Sequence, residues 1–328
     1  YHLTPHPSPS LRLELCRPMS FTLSTIRPDE SNIVAQLIHR GLAVWYEDRL
    51  GQGERFGTEW EPFLIFPEVY EVLDPGGSIV ARDESSGQLI GVCFVHPRET
   101  HHSVGIVVTA PEAAGRGVAK AMVSQAIADA RAASKPVRLV SSLLNLDSYS
   151  LYTRLGFVPG AVFQDLLFVV PESGLAIEAP VGVDQVRLAR ADEAAALADF
   201  EMSLQGIRRE GDYRFFLGNT VSLWRVLVSE NRDGEMNGVM VVSLNPAMPM
   251  LGPGVTQDAE TACALVWTAL SELPGKSYVL LAPASQSDLI QTFYSWGARN
   301  VELHVSQVCG DAPVQRGIGF PTFLPESG

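Results

Sequence analysis

The hydrophobic positions between residues 21 and 170 switch repeatedly between a two-residue and a 3.6-residue spacing, which predicts alternating strands and helices. Residues 21–26 read as a strand, and residues 31–46 as a helix opened by the polar segment around Asp29 and Ser31. A Gly-rich stretch with several aromatics covers 51–60. Residues 79–82 and 89–95 predict two strands joined by a turn over 84–88, and 102–109 a third strand. A second Gly-rich turn then leads into a helix over 117–133. On that helix Val118, Met122, Val123, Ala126, Ile127 and Ala130 share one face, and Lys120, Gln125, Asp129 and Arg131 share the other. A strand (137–141), a short helix (147–155) and a strand (162–170) complete the first pattern.

Residues 171–183, PESGLAIEAPVGV, have the Pro and Gly content of a connection, and the pattern then restarts. A strand (186–188), a helix (192–204), two strands (223–229 and 238–244) around an Asp233–Gly234 turn, a helix (258–273), a strand (278–282) and a helix (287–296) follow in the same order. The chain therefore reads as two diverged copies of one α/β unit with a mixed sheet. The expected division is an extension over 1–20, a first domain over 21–172, a linker over 173–183 and a second domain over 184–328.

Composition narrows the function. The chain has 328 residues, 46% hydrophobic and 19% charged, with a formal charge of −13 from 24 basic and 37 acidic side chains. An acidic surface disfavours nucleic acid and anionic membrane as partners, so a phosphate-bearing ligand needs a local cradle of backbone N–H groups and a few cations. Cys16, Cys93, Cys263 and Cys309 are widely spread and lack metal-ligand spacing. Free thiols in a reducing cytoplasm, with no metal site, are the expectation. No apolar run is long enough for a membrane span, and YHLTPHPSPS lacks the apolar core of a signal peptide.

The segment V-V-T-A-P-E-A-A-G-R-G-V-A-K, from Val107 to Lys120, supplies such a cradle. A strand ends, Gly115 and Gly117 let the backbone bend tightly, and a helix begins at once. The first N–H groups of that helix have no partners within it, and with the helix dipole they favour an anion; Arg116 and Lys120 add positive charge. The absence of Gly-Lys-Ser/Thr argues against a Mg-nucleotide loop.

A second segment, Asn145-Leu-Asp-Ser148-Tyr-Ser-Leu151-Tyr152-Thr-Arg-Leu-Gly156-Phe157, follows the next strand. Together the two segments resemble the GNAT superfamily of N-acetyltransferases. The family's Q/R-x-x-G-x-G/A loop is matched at Ala114, Gly115, Arg116, Gly117, Val118 and Ala119. Its N-x-x-A-x-x-L-Y-x-x-x-G-F signature is matched at Asn145, Leu151, Tyr152, Gly156 and Phe157, with Ser148 at the small-residue position. The resemblance in element order covers roughly residues 22–170. It implies two tandem GNAT-like domains, the second degenerate, and an acetyl-CoA or other acyl-CoA co-substrate. The backbone of Val107, Val108 and Thr109 would pair with the pantetheine arm, 115–120 would hold the pyrophosphate, and Asn145 and Ser148 would line the CoA channel. Tyr152 would protonate the departing thiolate. Ala114 departs from the family's Gln or Arg, which predicts weaker binding.

For the base that takes the amine proton, the candidates are His96, Glu99, His101 and His102, on or just before the strand that leads to the loop, with Glu99 and His102 put forward. Trp45, Tyr46, Glu47, Asp48, Arg49, Phe56 and Trp60 suit the acceptor pocket, because aromatics with carboxylates favour a cationic amine with an apolar body. In the second half, Pro253 supplies no N–H at the equivalent turn, Asp258 and Glu260 occupy the first helical turn, and Phe293 stands at the tyrosine position. That half is expected to have lost CoA and to complete the acceptor pocket, stabilise the first domain or mediate a homodimer. The leading function is acyl transfer to a primary amine of a small molecule. A protein N-acetyltransferase and a non-catalytic acyl-CoA sensor are the alternatives.

Overall fold

The structure, a computed structural model, describes residues 20–219, 223–246 and 248–325. Cys16 and nearly all of the expected extension lie outside the described residues. The first half runs β1 (Phe21–Ser24), α1 (Ser31–Leu50), α2 (Ile65–Leu73), β2 (Ile79–Asp83), β3 (Leu89–Pro97), β4 (His102–Thr109), α3 (Val118–Ala132), β5 (Val137–Ser142), α4 (Leu146–Arg154) and β6 (Val158–Val169). The second runs β7 (Val186–Leu188), α5 (Ala194–Gln205), α6 (Glu210–Gly218), β8 (Trp224–Glu230), β9 (Met236–Ser243), β10 (Met250–Thr256), α7 (Ala259–Ser271), β11 (Ser277–Pro283), α8 (Ser287–Ser295), β12 (Arg299–Cys309) and β13 (Ile318–Phe320). The repeated order is thus observed. Strand β10 occupies what the sequence pattern gives as a turn. Helices α2 and α6 and the strands β12 and β13 are additions to the expected set.

All the strands join one sheet, ordered β1-β2-β3-β4-β5-β12-β6-β11-β10-β9-β8-β7, with β13 beside β10. The centre of that order shows an exchange. β5 pairs not with β6 of its own half but with β12, and β6 pairs with β11 of the second half. A row of cross-strand partners runs Ser142, His304, Phe163, Pro283, so that Phe163 stands to Pro283 as His304 stands to Ser142. The two halves are therefore related by an approximate twofold axis between His304 and Phe163.

Packing follows the exchange. Leu166, Phe168 and Val170, at the end of the first half, lie in the core formed by α7, α8 and the second-half strands. Conversely, Cys309 packs against the first-half core around Tyr152 and Phe157. That core continues into Leu197, Tyr213, Phe216 and Trp224 of the second half. Fully burying side chains of this size contributes roughly 1.5–3 kcal/mol each, so each half depends on side chains donated by the other.

Among the described residues, no helix is long and apolar enough to cross a membrane, and no His, Cys, Asp and Glu side chains group as a metal-ion site.

Candidate active site

In each half the central parallel pair opens like a fork. β4 and β5 are paired only at His102–Val137 and Ser103–Arg138, and β10 and β11 only at Met250–Val279 and Leu251–Leu280. Beyond those points the strands separate. β4 is also irregular opposite β3 between Val104 and Val107, and a local irregularity of this kind re-aims backbone beside a site.

Two cavities meet in the fork of the first half. One, of about 680 Å³, is lined by Val107, Val108 and Thr109, by Ala114, Gly115, Gly117, Val118, Ala119 and Lys120, and by Asn145, Ser148 and Tyr152. Gly115 and Gly117 take φ of 75° and 82°, a region that side chains with a Cβ rarely occupy. Gly117 is the N-cap of the 15-residue α3, with no acidic side chain in its first turn. The first N–H groups of α3 are thus left for an anion, with Lys120 beside them. Nearly every predicted cofactor contact falls on this one wall.

Arg116 does not. Its guanidinium turns away from the cavity and pairs with Asp83 at 3.1 Å. Asp83 also accepts hydrogen bonds from the Ser85 hydroxyl and the Ser85 and Ser86 N–H groups. The Ser85 hydroxyl, then Arg116, hold this carboxyl well below the ordinary carboxylate range. Arg116 thus anchors the loop to the β2–β3 turn.

The second cavity, of about 610 Å³, shares Leu42, Val107, Asn145, Ser148 and Tyr152 with the first. Tyr152 therefore stands at the junction, 6% exposed. Asn145 caps α4, its side chain accepting from the Ser148 N–H at 3.0 Å. The far wall carries Tyr46, Phe56, Phe63, Phe66 and Phe323, with Arg55, Asp165, Glu302 and His304. Three of these come from the exchanged strands β6 and β12.

The polar groups there are tightly arranged. Glu302 accepts from the Tyr46 hydroxyl at 3.2 Å and from Ser142 on one oxygen, and from Arg55 at 2.9 Å on the other. Burial, then the Glu302 charge, push the Tyr46 hydroxyl up to about 12, so it remains a donor. The Arg55 guanidinium lies 5.0 Å from the centre of the Tyr46 ring, a cation–π contact. His304 Nδ1 is 2.8 Å from Asp165 Oδ1. Burial raises Asp165, against the pull of His304. With Asp165 ionised, Nδ1–H donates to it and Nε2 is the basic nitrogen.

Glu99 and His102 line neither cavity. Glu99 pairs with Arg208 at 2.9 Å and accepts from the Glu210 N–H, both in the second half. His102 is buried at the start of β4, where burial and then Lys135 lower its basicity. His96 bonds Asp74 at 2.7 Å, His101 bonds Thr100 and Ser103, and Arg98 joins Asp74 to Asp212 of α6. This segment fastens the two halves together rather than facing the cavities.

Of the acceptor candidates, Tyr46 and Phe56 line the second cavity, while Trp45, Asp48 and Arg49 border the first. Glu47 accepts from the Gly53 N–H, and Trp60 lies in a separate groove. Asp165, Glu302 and His304 were absent from the sequence reading. The one available signal was the placing of charged residues at interior positions of otherwise apolar strands.

In the second half, the Asp258 carboxylate accepts from the Thr261 N–H at 2.9 Å and caps α7 itself. The equivalent of the α3 anion cradle is thus filled by the chain's own carboxylate. Phe293 occupies the place of Tyr152 and is fully buried.

Residues 42–157 match the model of the Acetyltransferase (GNAT) family. The match lies within the first half, which is therefore similar to that family over most of its length. Among solved structures, a Pyrococcus horikoshii protein described as an acetyltransferase is 14% identical with a TM-score of 0.71, covering 97% of this chain and 98% of its own. A tandem GNAT protein from the clavulanic acid biosynthesis pathway is 14% identical with a TM-score of 0.56, covering 90% of this chain and all of its own. Saccharomyces cerevisiae N-myristoyltransferase with bound myristoyl-CoA is 10% identical with a TM-score of 0.57, covering 95% of this chain and 86% of its own. These likenesses establish a tandem GNAT fold. A search of curated protein sequences finds no match to this chain.

Proposed function

We propose that the chain is an acyl-CoA-dependent N-acyltransferase that uses acetyl-CoA or a related thioester and acts on a small primary amine. The observation that carries this reading is the meeting of an anion-cradle cavity and an aromatic, acid-bearing cavity at Tyr152. The cradle suits a pyrophosphate. The second cavity carries Arg55, Asp165 and Glu302 as its charged side chains, which leaves a net negative wall suited to an amine with an apolar body. Because that wall comes from both halves, it favours a small acceptor over an extended peptide.

In this mechanism the amine lone pair attacks the thioester carbonyl, the C–N bond forms and the C–S bond breaks. His304 Nε2 accepts the amine proton, and Asp165 holds the ring in the required tautomer and stabilises its charged form. Glu302 is less suited to this task, since both its oxygens already accept hydrogen bonds. Tyr152 O–H protonates the sulfur as it departs. Direct transfer gains chiefly from holding both reactants in one junction.

Calorimetric titration with acetyl-CoA is expected to give one site per chain, and an amine panel to give acceptor-dependent release of CoA thiol. Tyr152→Phe should keep CoA affinity and lower turnover by about 10²-fold or more. Absence of acyl-CoA binding, or binding with no amine-dependent thiol release and no effect of Tyr152→Phe, would overturn the enzyme reading; the latter would favour a sensor.

A further inference from the structure

The segment that follows β12 crosses from the fork of the second half into the acceptor cavity of the first. Its strand β13 pairs with β10 at Gly254, Val255 and Thr256. The sheet register relates these three residues to Val107, Val108 and Thr109 of β4. Met250 stands beside Val279 as Ser103 stands beside Arg138, and the irregularity between Leu251 and Gly254 repeats the one between Val104 and Val107. In the first half that part of the fork is a wall of the cofactor cavity. In the second half the chain's own Ile318, Gly319 and Phe320 lie along it, with Ile318 and Phe320 buried in the core beneath. Pro321 and Thr322 follow, both buried. Phe323 then lines the acceptor cavity, and Leu324, fully buried, joins the first-half core. The Tyr70 hydroxyl of α2 donates to the Phe323 carbonyl at 2.8 Å. The Phe323 ring packs on His304, with the ring centres 4.8 Å apart.

We propose that residues 318–324 form a strap, anchored in the second-half fork, in which Phe323 is a positioning residue for His304. The inference rests on the assignment of His304 as the base. Asp165 holds the imidazole at Nδ1, across 2.8 Å. A single hydrogen bond leaves a ring free to rotate about the axis of that bond, which carries Nε2 away from the amine. Phe323 against the tilted face of the imidazole removes this freedom. A reacting group misplaced by about 1 Å can cost about 10²-fold in rate, so the hold on Phe323 matters as much as the contact itself. That hold comes from β13. The edge of β10 that corresponds to the cofactor wall is given over to a strand of the chain, beside the helix start that Asp258 already closes. The degenerate half thus acts in the reaction by fixing the neighbour of the base. Gly317 sets the entry to β13, at φ 63°. A Cβ there would collide with the Thr256 carbonyl oxygen, so Gly317→Ala should push β13 off β10. Gly317 lines neither of the cavities that meet at Tyr152.

The test has a kinetic and a spectroscopic arm, both on the full chain. Phe323→Ala should lower kcat about tenfold or more with acyl-CoA affinity unchanged, and Phe323→Tyr, which keeps the ring, should retain activity. In a His304→Asn background the same Phe323→Ala change should cost less than about twofold, because a residue that acts through His304 then has nothing to position. The second arm is NMR with histidine labelled at Cε1, where the His304 signal is the one missing from His304→Asn. That signal should shift in Phe323→Ala, stay near its wild-type place in Phe323→Tyr, and move toward the Phe323→Ala position in Gly317→Ala. An active wild type whose kcat is untouched by Phe323→Ala, or an equal loss with and without His304, would overturn the positioning role. A His304 signal unmoved in a folded Gly317→Ala would overturn the strap. Should Gly317→Ala fail to fold, the two Phe323 variants carry the test. A wild type that releases no thiol with any amine counts against the enzyme reading instead, and the His304 signal then decides the strap by itself.

Discussion

His304→Asn separates the base from the scaffold. The asparagine Nδ2–H₂ can donate to Asp165 much as His304 Nδ1 does across its 2.8 Å contact, so the buried carboxylate keeps a partner. Nε2 and its lone pair disappear. Positioned general bases contribute about 10²–10⁴ in rate, which corresponds to about 3–5 kcal/mol of barrier. The expected result is a fall of that size in kcat, with acyl-CoA affinity unchanged and KM for the amine altered little. The assay is steady-state thiol release, with calorimetry for CoA and a melting curve to confirm folding. A kcat within about threefold of wild type, smaller than any base contribution of that order, would refute the assignment.

Further outcomes are expected at the loop and the β2–β3 turn. Gly117→Asp should weaken acetyl-CoA at least tenfold, or about 1.4 kcal/mol, in calorimetry. It forces a Cβ into a positive φ and sets a negative charge at the anion cradle. An added Cβ meets no atom within 4 Å at this position, so the fold should survive. Asp83 has a depressed folded-state pKa, so its stabilising contribution is complete above its ordinary value of 3.8 and is lost as pH falls below it. Asp83→Asn should accordingly lower Tm at neutral pH and flatten the loss of Tm on acidification, and parallel melting-point curves would contradict this.

The cofactor wall was legible because its determinants are local. Two glycines, a helix start and the Asn145–Phe157 signature lie within one short stretch, and their spacing alone brings them to one fork. The acceptor wall was not. His304 and Asp165 meet only because β12 inserts between β5 and β6, and no periodicity in the sequence states which strand will be a neighbour. The segment from His96 to His102 misled for a related reason. Its histidines and Glu99 lie close to the loop in sequence, yet their partners are Asp74, Arg208 and other groups that join the two halves. Helix α6 escaped notice because Asp212, Tyr213 and Phe216 are all buried, a mixture that blurs the amphipathic stripe. The strand β10 was hidden by its Gly-Pro-Gly sequence, which normally marks a turn; here it is flanked by β9, β11 and β13.

The strand exchange also constrains the order in which the chain can fold. During synthesis β5 emerges long before β12, and until Arg299–Cys309 is made its inner edge has no neighbour. β6 waits likewise for β11. Such non-local pairings fold slowly, and open edges of this kind invite association with other chains. The sheet centre, and the acceptor wall with it, is therefore completed only near the end of translation, so a nascent or truncated chain would carry the loop of Gly115 and Gly117 but lack His304.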